Sequence, residues 1–250
     1  MHISNGVELL ELSANIRGIT VKLYPTIIKD SDTVILVDTG YPGQLSQIKK
    51  AMEKSGVPFP KLNKIILTHH DYDHMGVLPD ILNEMPVEVI AHIEEKPYID
   101  GTKRSIRFDP QWVEQLKSKH YNNDETKGDS KIFEAFFENT KIKVDKTVTD
   151  NMELPYCGGI AVIHTPGHTL GHICLYLRQS KTLIAGDELV LSGGILKKTL
   201  HFFDYDSDLS KKSLKKLTEY DIETVICYHG GLYRKNVNQR IAELAAATHT

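Results

Sequence analysis

Cysteine is scarce. Only Cys157, Cys174 and Cys227 occur in 250 residues. An odd, widely spaced set excludes a disulfide framework and points to a reducing, cytoplasmic setting. Cys174 and Cys227 sit inside apolar runs and read as buried, inert thiols. Long apolar runs are missing too. None approaches the roughly 18–20 residues that cross a bilayer, so no membrane partner is expected. The opening residues 1–6 hold neither a basic nor an apolar region, and no secretory signal is expected there. An excess of one charge is also absent. With 30 basic and 33 acidic side chains and a net charge of -3, a dedicated nucleic-acid binder is disfavoured. The 40% hydrophobic and 25% charged content excludes disordered, collagenous and coiled-coil chains. The length suits one α/β domain spanning 1–250.

Histidine is what the chain has in quantity, with twelve residues, and its placement depends on the scaffold. Residues 33–37 (TVILV) form a β-branched run that stops at Asp38-Thr39-Gly40, as a buried strand ending in a turn does. Leu45, Ile48 and Met52 share a helical face. Residues 64–68 and 87–91 read as further buried strands, and the strand–helix–strand alternation argues for a layered α/β fold. Strands are expected again at 160–164, 173–177, 182–185 and 223–227. Helices are expected from Ser207 or Asp208 to about Tyr220, and over 237–245. Between them, residues 94–150 are rich in charge and aromatics. They read as a helical insertion or lid, with helices at 111–119 and 131–139 and a polar loop at 122–129. A plain helical layer is the competing reading.

The chemistry gathers at strand ends. Strand 64–68 runs into His69-His70-Asp71-Tyr72-Asp73-His74, five metal-capable side chains in six positions. Imidazole and carboxylate are ligands of zinc and of non-haem iron or manganese. Alternation puts His69, Asp71 and Asp73 on one side and His70 on the other. His168 follows the Pro166-Gly167 turn, Asp187 follows Gly186, and His229 precedes Gly230, each just after an apolar strand. Four strands therefore deliver metal-capable residues to one edge of a sheet sandwich.

This pattern resembles the metallo-β-lactamase-fold hydrolases over most of the chain, from Asp38-Thr39-Gly40 to His229-Gly230. The family's His-x-His-x-Asp-His stands here as residues 69–74, with Asp71 in place of the second histidine. The later family ligands match His168, Asp187 and His229. The resemblance implies a four-layer αββα sandwich and two divalent ions, with zinc first and iron or manganese as alternatives. The first ion would bind His69, Asp71, His168 and Asp187. The second would bind Asp73, His74, Asp187 and His229. A bridging hydroxide would attack the carbonyl of a small ester, thioester or lactone, with Asp73 orienting it and passing a proton to the leaving group. Asp38, Thr39 and His172 would brace the ligand loops. Asp71 leaves a choice open: it ligates the first ion, or that position is weakened, or His70 bends in.

Comparison within the family narrows the activity. Only twenty-one residues follow His229, too few for the helical domain of glyoxalase II-type thioesterases. Acyl-homoserine lactonases place a tyrosine where Val190 stands. A carboxylate at position 71 also resembles the flavodiiron branch, so a di-iron redox protein is the alternative to a hydrolase.

Overall fold

The computed structural model describes residues 1–16, 18–110, 112–114, 134–201 and 203–247. Among the described residues, seventeen strands fall into two large sheets and two hairpins. The first sheet holds β1 (His2–Ser4), β2 (Val7–Leu9), β5 (Thr26–Lys29), β6 (Val34–Val37), β7 (Lys64–Ile66), β8 (Glu88–His92) and β9 (Lys146–Val148), in that spatial order. Strands β6 to β9 run parallel. The second sheet is ordered β10 (Glu153–Leu154), β11 (Ile160–His164), β12 (Ile173–Leu177), β13 (Thr182–Ile184), β16 (Thr224–Cys227) and β17 (Gly231–Tyr233). The separate hairpins are β3 (Leu12–Ile16) with β4 (Ile19–Leu23), and β14 (Leu189–Ser192) with β15 (Ile195–Lys198).

Side-chain alternation explains the layering. In the first sheet, Leu36, Ile65 and Val89 point outward, where they meet Ile48 and Met52 of α1 (Leu45–Lys54) and Ile81 of α3 (Leu78–Glu84). Their neighbours Ile35, Val37, Ile66 and Ile90 point inward and pack on Ile160, Val162, Ile173 and Leu175 of the second sheet. The outer face of that sheet, with Ala161, Ile163, Cys174 and Val225, is covered by Leu214 of α5 (Ser207–Lys216) and Ile241 of α6 (Val237–Ala246). Three apolar layers between four layers of elements make the αββα sandwich. Successive residues of one strand serve different layers, so these strands read as continuous apolar runs.

Asp206, rather than Ser207 or Asp208, caps α5, its carboxylate accepting from the backbone N–H groups of Asp208 and Leu209. The segment 94–150 is only partly helical. It carries α4 (Lys96–Ile99), a 3-10 turn at Ile106–Phe108 and helical residues at 112–114 and 134–139. Its last residues return to the first sheet as β9. The remainder of both expected helices, and the expected loop at 122–129, lie outside the described residues. The short helix α2 (Tyr72–Met75) turns the chain directly after β7. No helix among the described residues is long and apolar enough to cross a membrane.

Candidate metal centre

Both sheets end at one edge, and each ligand loop starts there. His69, Asp71, Asp73 and His74 follow β7, His168 lies between β11 and β12, Asp187 follows β13, and His229 follows β16. The backbone N–H of Ile173 donates to the carbonyl of Thr68 at 3.0 Å and ties the two sheets together at this edge. Two glycines permit the close approach of the loops. Gly186, at φ +49°, has no room for a Cβ, which would lie 2.6 Å from His172 Nε2. Gly230, at φ +108°, would put a Cβ 2.0 Å from the Leu191 carbonyl oxygen.

The seven expected ligands come together in three overlapping groups: His69 with Asp71 and His168, His69 with His74 and Asp187, and Asp73 with His74 and His229. Ligand atoms within each group lie within 4.8 Å of one another. Asp187 is central. Its Oδ1 is 3.3 Å from His74 Nε2, and its Oδ2 is 3.5 Å from both His168 Nε2 and His229 Nε2. Asp73 Oδ2 lies 3.2 Å from His229 Nε2.

The surrounding residues aim these atoms. Asp38, at φ +60°, is an acceptor hub. It takes the Thr68 N–H and hydroxyl, both at 2.8 Å, and its Oδ2 lies 2.9 Å from His74 Nδ1. His74 Nε2 is thereby left facing the centre, as in carboxylate–histidine–metal arrangements. Thr68 Oγ1 lies 3.0 Å from His69 Nδ1 and directs Nε2 of that ring inward in the same way. Thr39 donates from its N–H and its hydroxyl to the His74 carbonyl. His172 Nε2 accepts the Asp187 N–H at 3.0 Å, so this ring positions Asp187. The bracing roles expected of Asp38, Thr39 and His172 correspond to these contacts.

Three buried polar atoms have no hydrogen-bond partner among the described residues and point at one another: His69 Nε2, His74 Nε2 and Asp187 Oδ1. Leaving such groups unpaired is costly, and a cation between them would satisfy all three. The electrostatics agree. Burial alone would depress His74, yet Asp187, Asp38 and Asp73 hold its ring well above the usual histidine range. Burial opposes charge on His229 also, but Asp187 and Asp73 push it up to about 10. Against its own burial, Asp187 is held well below the carboxylate range by His229 and His74. This cluster draws positive charge, and its donor set fits a divalent cation at Asp73, His74, Asp187 and His229.

Sequence reading considered His70 but missed several residues that hold it and the ligands. His70 turns away from the centre, as alternation requires. Its Nδ1 pairs with Glu95, and its Nε2 lies 3.1 Å from Ser105 Oγ. Glu95 is fully buried and also accepts from Thr169 Oγ1 at 2.6 Å and from the Gly171 N–H at 2.7 Å, so it anchors the His168 loop. Tyr228 donates its hydroxyl to the Asp73 carbonyl at 2.5 Å. Asp204 Oδ1 stands 3.6 Å from His168 Nδ1, and its other oxygen pairs with the buried Lys198. Most unexpected is Arg107. It meets Asp71 through two parallel bonds, Nε to Oδ1 at 2.8 Å and Nη2 to Oδ2 at 2.5 Å. The same Nη2 lies 2.9 Å from His168 Nε2. No motif marks Glu95, Asp204 or Arg107. Each is distant in sequence from the group it serves.

A buried array of imidazoles and carboxylates at the sheet edges of an αββα sandwich defines a metal-dependent hydrolase. The family model described as the metallo-beta-lactamase superfamily matches residues 24–229, and the chain belongs to that superfamily. It is 27% identical to the probable metallo-hydrolase YflN of Bacillus subtilis, over 94% of this chain and 91% of that protein. It is 29% identical to a hydroxyacylglutathione hydrolase of Idiomarina loihiensis, over 80% of this chain but only 57% of that protein. A solved metallo-beta-lactamase family protein from Thermus thermophilus superposes with a TM-score of 0.72 at 25% identity, covering 97% of this chain and 79% of the other.

Proposed function

We propose that this protein hydrolyses a small ester, thioester or lactone with divalent-metal assistance. The observation that carries the reading is the set of unpartnered, buried, converging atoms His74 Nε2 and Asp187 Oδ1 beside Asp73 and His229. These four residues would hold the ion, zinc by preference. A divalent cation there supplies Lewis acidity, which makes a nucleophilic water available near neutral pH and polarises a carbonyl. His69, Asp71 and His168 form the other candidate group, with Arg107 in contact with two of its three members.

The chain's own groups do the rest. Burial works to protonate Asp73, but His74 and His229 keep its carboxyl below the usual range, so it is an acceptor near neutral pH. An acceptor at this place would orient the attacking water and take its proton as the new O–C bond forms. The protonated Asp73 would then give that proton to the alkoxide or thiolate as its bond to the acyl carbon breaks. Tyr228 and Thr39 hold the α2 turn that presents Asp73 and His74. The relatives named as hydroxyacylglutathione hydrolases support the thioester branch. A redox role drew its motive from Asp71 as an iron ligand, and the ion pair of Asp71 with Arg107 removes that motive.

Elemental mass spectrometry on protein purified without added metal or chelator tests the reading, followed by a panel of esters, thioesters and lactones. At least one zinc or manganese per chain and turnover on one class are expected. A chain that binds no divalent ion, or a loaded chain inert on the whole panel, would overturn it.

A further inference from the structure

We infer that the guanidinium of Arg107 is the resident cation of the first metal position, and that the protein holds a single divalent ion, at the second position. This inference rests on the metal-hydrolase reading and concerns how many ions that site accepts.

The two positions do not fit a metal equally. Around the second, buried lone pairs point inward without partners. Around the first, the Arg107 guanidinium already stands among the ligand atoms, and only His69 Nε2 keeps an unpartnered lone pair there. Both oxygens of Asp71 accept from Arg107, and Nη2 is also directed at His168 Nε2. A lone pair that accepts an N–H cannot coordinate an ion at the same time. Arginine does not shed its proton in a protein, so this competitor is permanent. A divalent ion between Asp71 and His168 would stand a few Å from a fixed positive charge in a buried place, where repulsion is poorly screened.

Arg107 is also held where it is by contacts away from the ligands. Its backbone N–H is capped by Ser105 Oγ at 3.3 Å, which starts the 3-10 turn. The same Ser105 oxygen reaches His70, so the turn is tied to the ligand loop. Nη1 donates to the Phe203 carbonyl at 2.7 Å. The guanidinium carbon lies 5.0 Å from the centre of the Trp112 ring. Four of the five guanidinium N–H groups are thus engaged, and the side chain is as buried as Asp71, each 15% exposed. His69 is not stranded by this arrangement: its Nε2 lies 3.3 Å from Asp71 Oδ2 and also within the group of His74 and Asp187. A guanidinium offers charge and hydrogen bonds but no Lewis acidity. The first position can therefore steady an oxyanion but cannot activate a water.

The test is ion stoichiometry, read by elemental analysis and by the visible spectrum during Co(II) titration of apoprotein. Wild type is expected to saturate at one Co(II) per chain and Arg107→Ala at two, the second with its own spectral change. Two tight ions in wild type would overturn the inference and leave the hydrolase reading standing. One ion in both proteins would overturn Arg107 as the excluding group. No tight ion in wild type would take the hydrolase reading down as well. Should Arg107→Ala fail to fold, the double variant Asp71→Ala/Arg107→Ala removes the pair together, which spares an unpaired buried charge. Retention of one ion by the double variant supports the inference, and its loss overturns it.

Discussion

At one end of the ligand array, Asp73, His74 and His229 gather around Asp187 with ligand atoms 3.2–3.5 Å apart and no lysine or arginine paired with them among the described residues. At the other end, Asp71 and His168 share the guanidinium of Arg107. The residue types are nearly the same at the two ends. What differs is whether the fold brings its own counter-charge. Counting histidines and carboxylates therefore gives the capacity of a site, while the buried cation beside them gives its occupancy. Removal of the bound ion exposes the same contrast. A chelator leaves the carboxylates of the second position to be offset by protons on His74 and His229, while Asp71 stays paired with a permanent cation.

Asp187→Ala carries the largest expected effect, because Asp187 is the one carboxylate near the imidazoles of both ends. It should abolish metal retention and turnover together, read by elemental analysis and by the assay of the best substrate. Full metal content with an unchanged rate would show that the site is drawn wrongly. Next come the two end histidines as a pair. His229→Ala should strip the ion, whereas His168→Ala should keep it, since His168 serves the end that Arg107 occupies. The reverse result would exchange the roles of the two positions. Asp38→Asn should weaken metal binding about 10–100-fold, the usual effect of removing a carboxylate behind a ligating histidine. Asparagine tolerates the left-handed backbone that Asp38 adopts, so the change spares the turn while removing the charge and one of the two acceptor oxygens. Competition against a metal-sensitive dye reads this directly.

Legibility in the sequence divides along the same line. The central strands are readable because β6, β7, β11 and β12 are short apolar runs bounded by polar turns. The second-position ligands are readable because each follows such a strand directly, next to glycine or another ligand. The N-terminal strands β1 to β5 are not. Among them, β3 and β4 form a half-exposed hairpin whose mixed polarity gives no clear period. The hairpin of β14 and β15, by contrast, carries a readable local signal, Gly193-Gly194 between two short apolar runs. Arg107 and Glu95 are hidden for a different reason. Each acts across long sequence separations, Arg107 on Asp71 and His168, and Glu95 on His70 and the Thr169–Gly171 turn. A single sequence records local pattern, and the partner of a buried charge is set by tertiary contact.

Glu95 gives the smallest expected effect and sharpens the contrast at the first position, which depends on protein groups for its neutrality. Burial works to raise the Glu95 carboxyl, but its pairing with His70 and the hydroxyl of Thr169 hold it down at about 2. A carboxyl depressed in the folded state stabilises the fold above its ordinary range. That stabilisation is lost as pH falls from about 4.5 toward 2. A shift of this size corresponds to at most about 3 kcal/mol at neutral pH. Glu95→Gln should therefore lower the urea midpoint at pH 7 and flatten its decline below pH 4.5, with the two proteins converging in acid. The measurement belongs on metal-free protein, so that ion release from the second position does not add its own acid dependence. Parallel declines for wild type and variant would show that Glu95 is not what makes this end of the centre acid-sensitive.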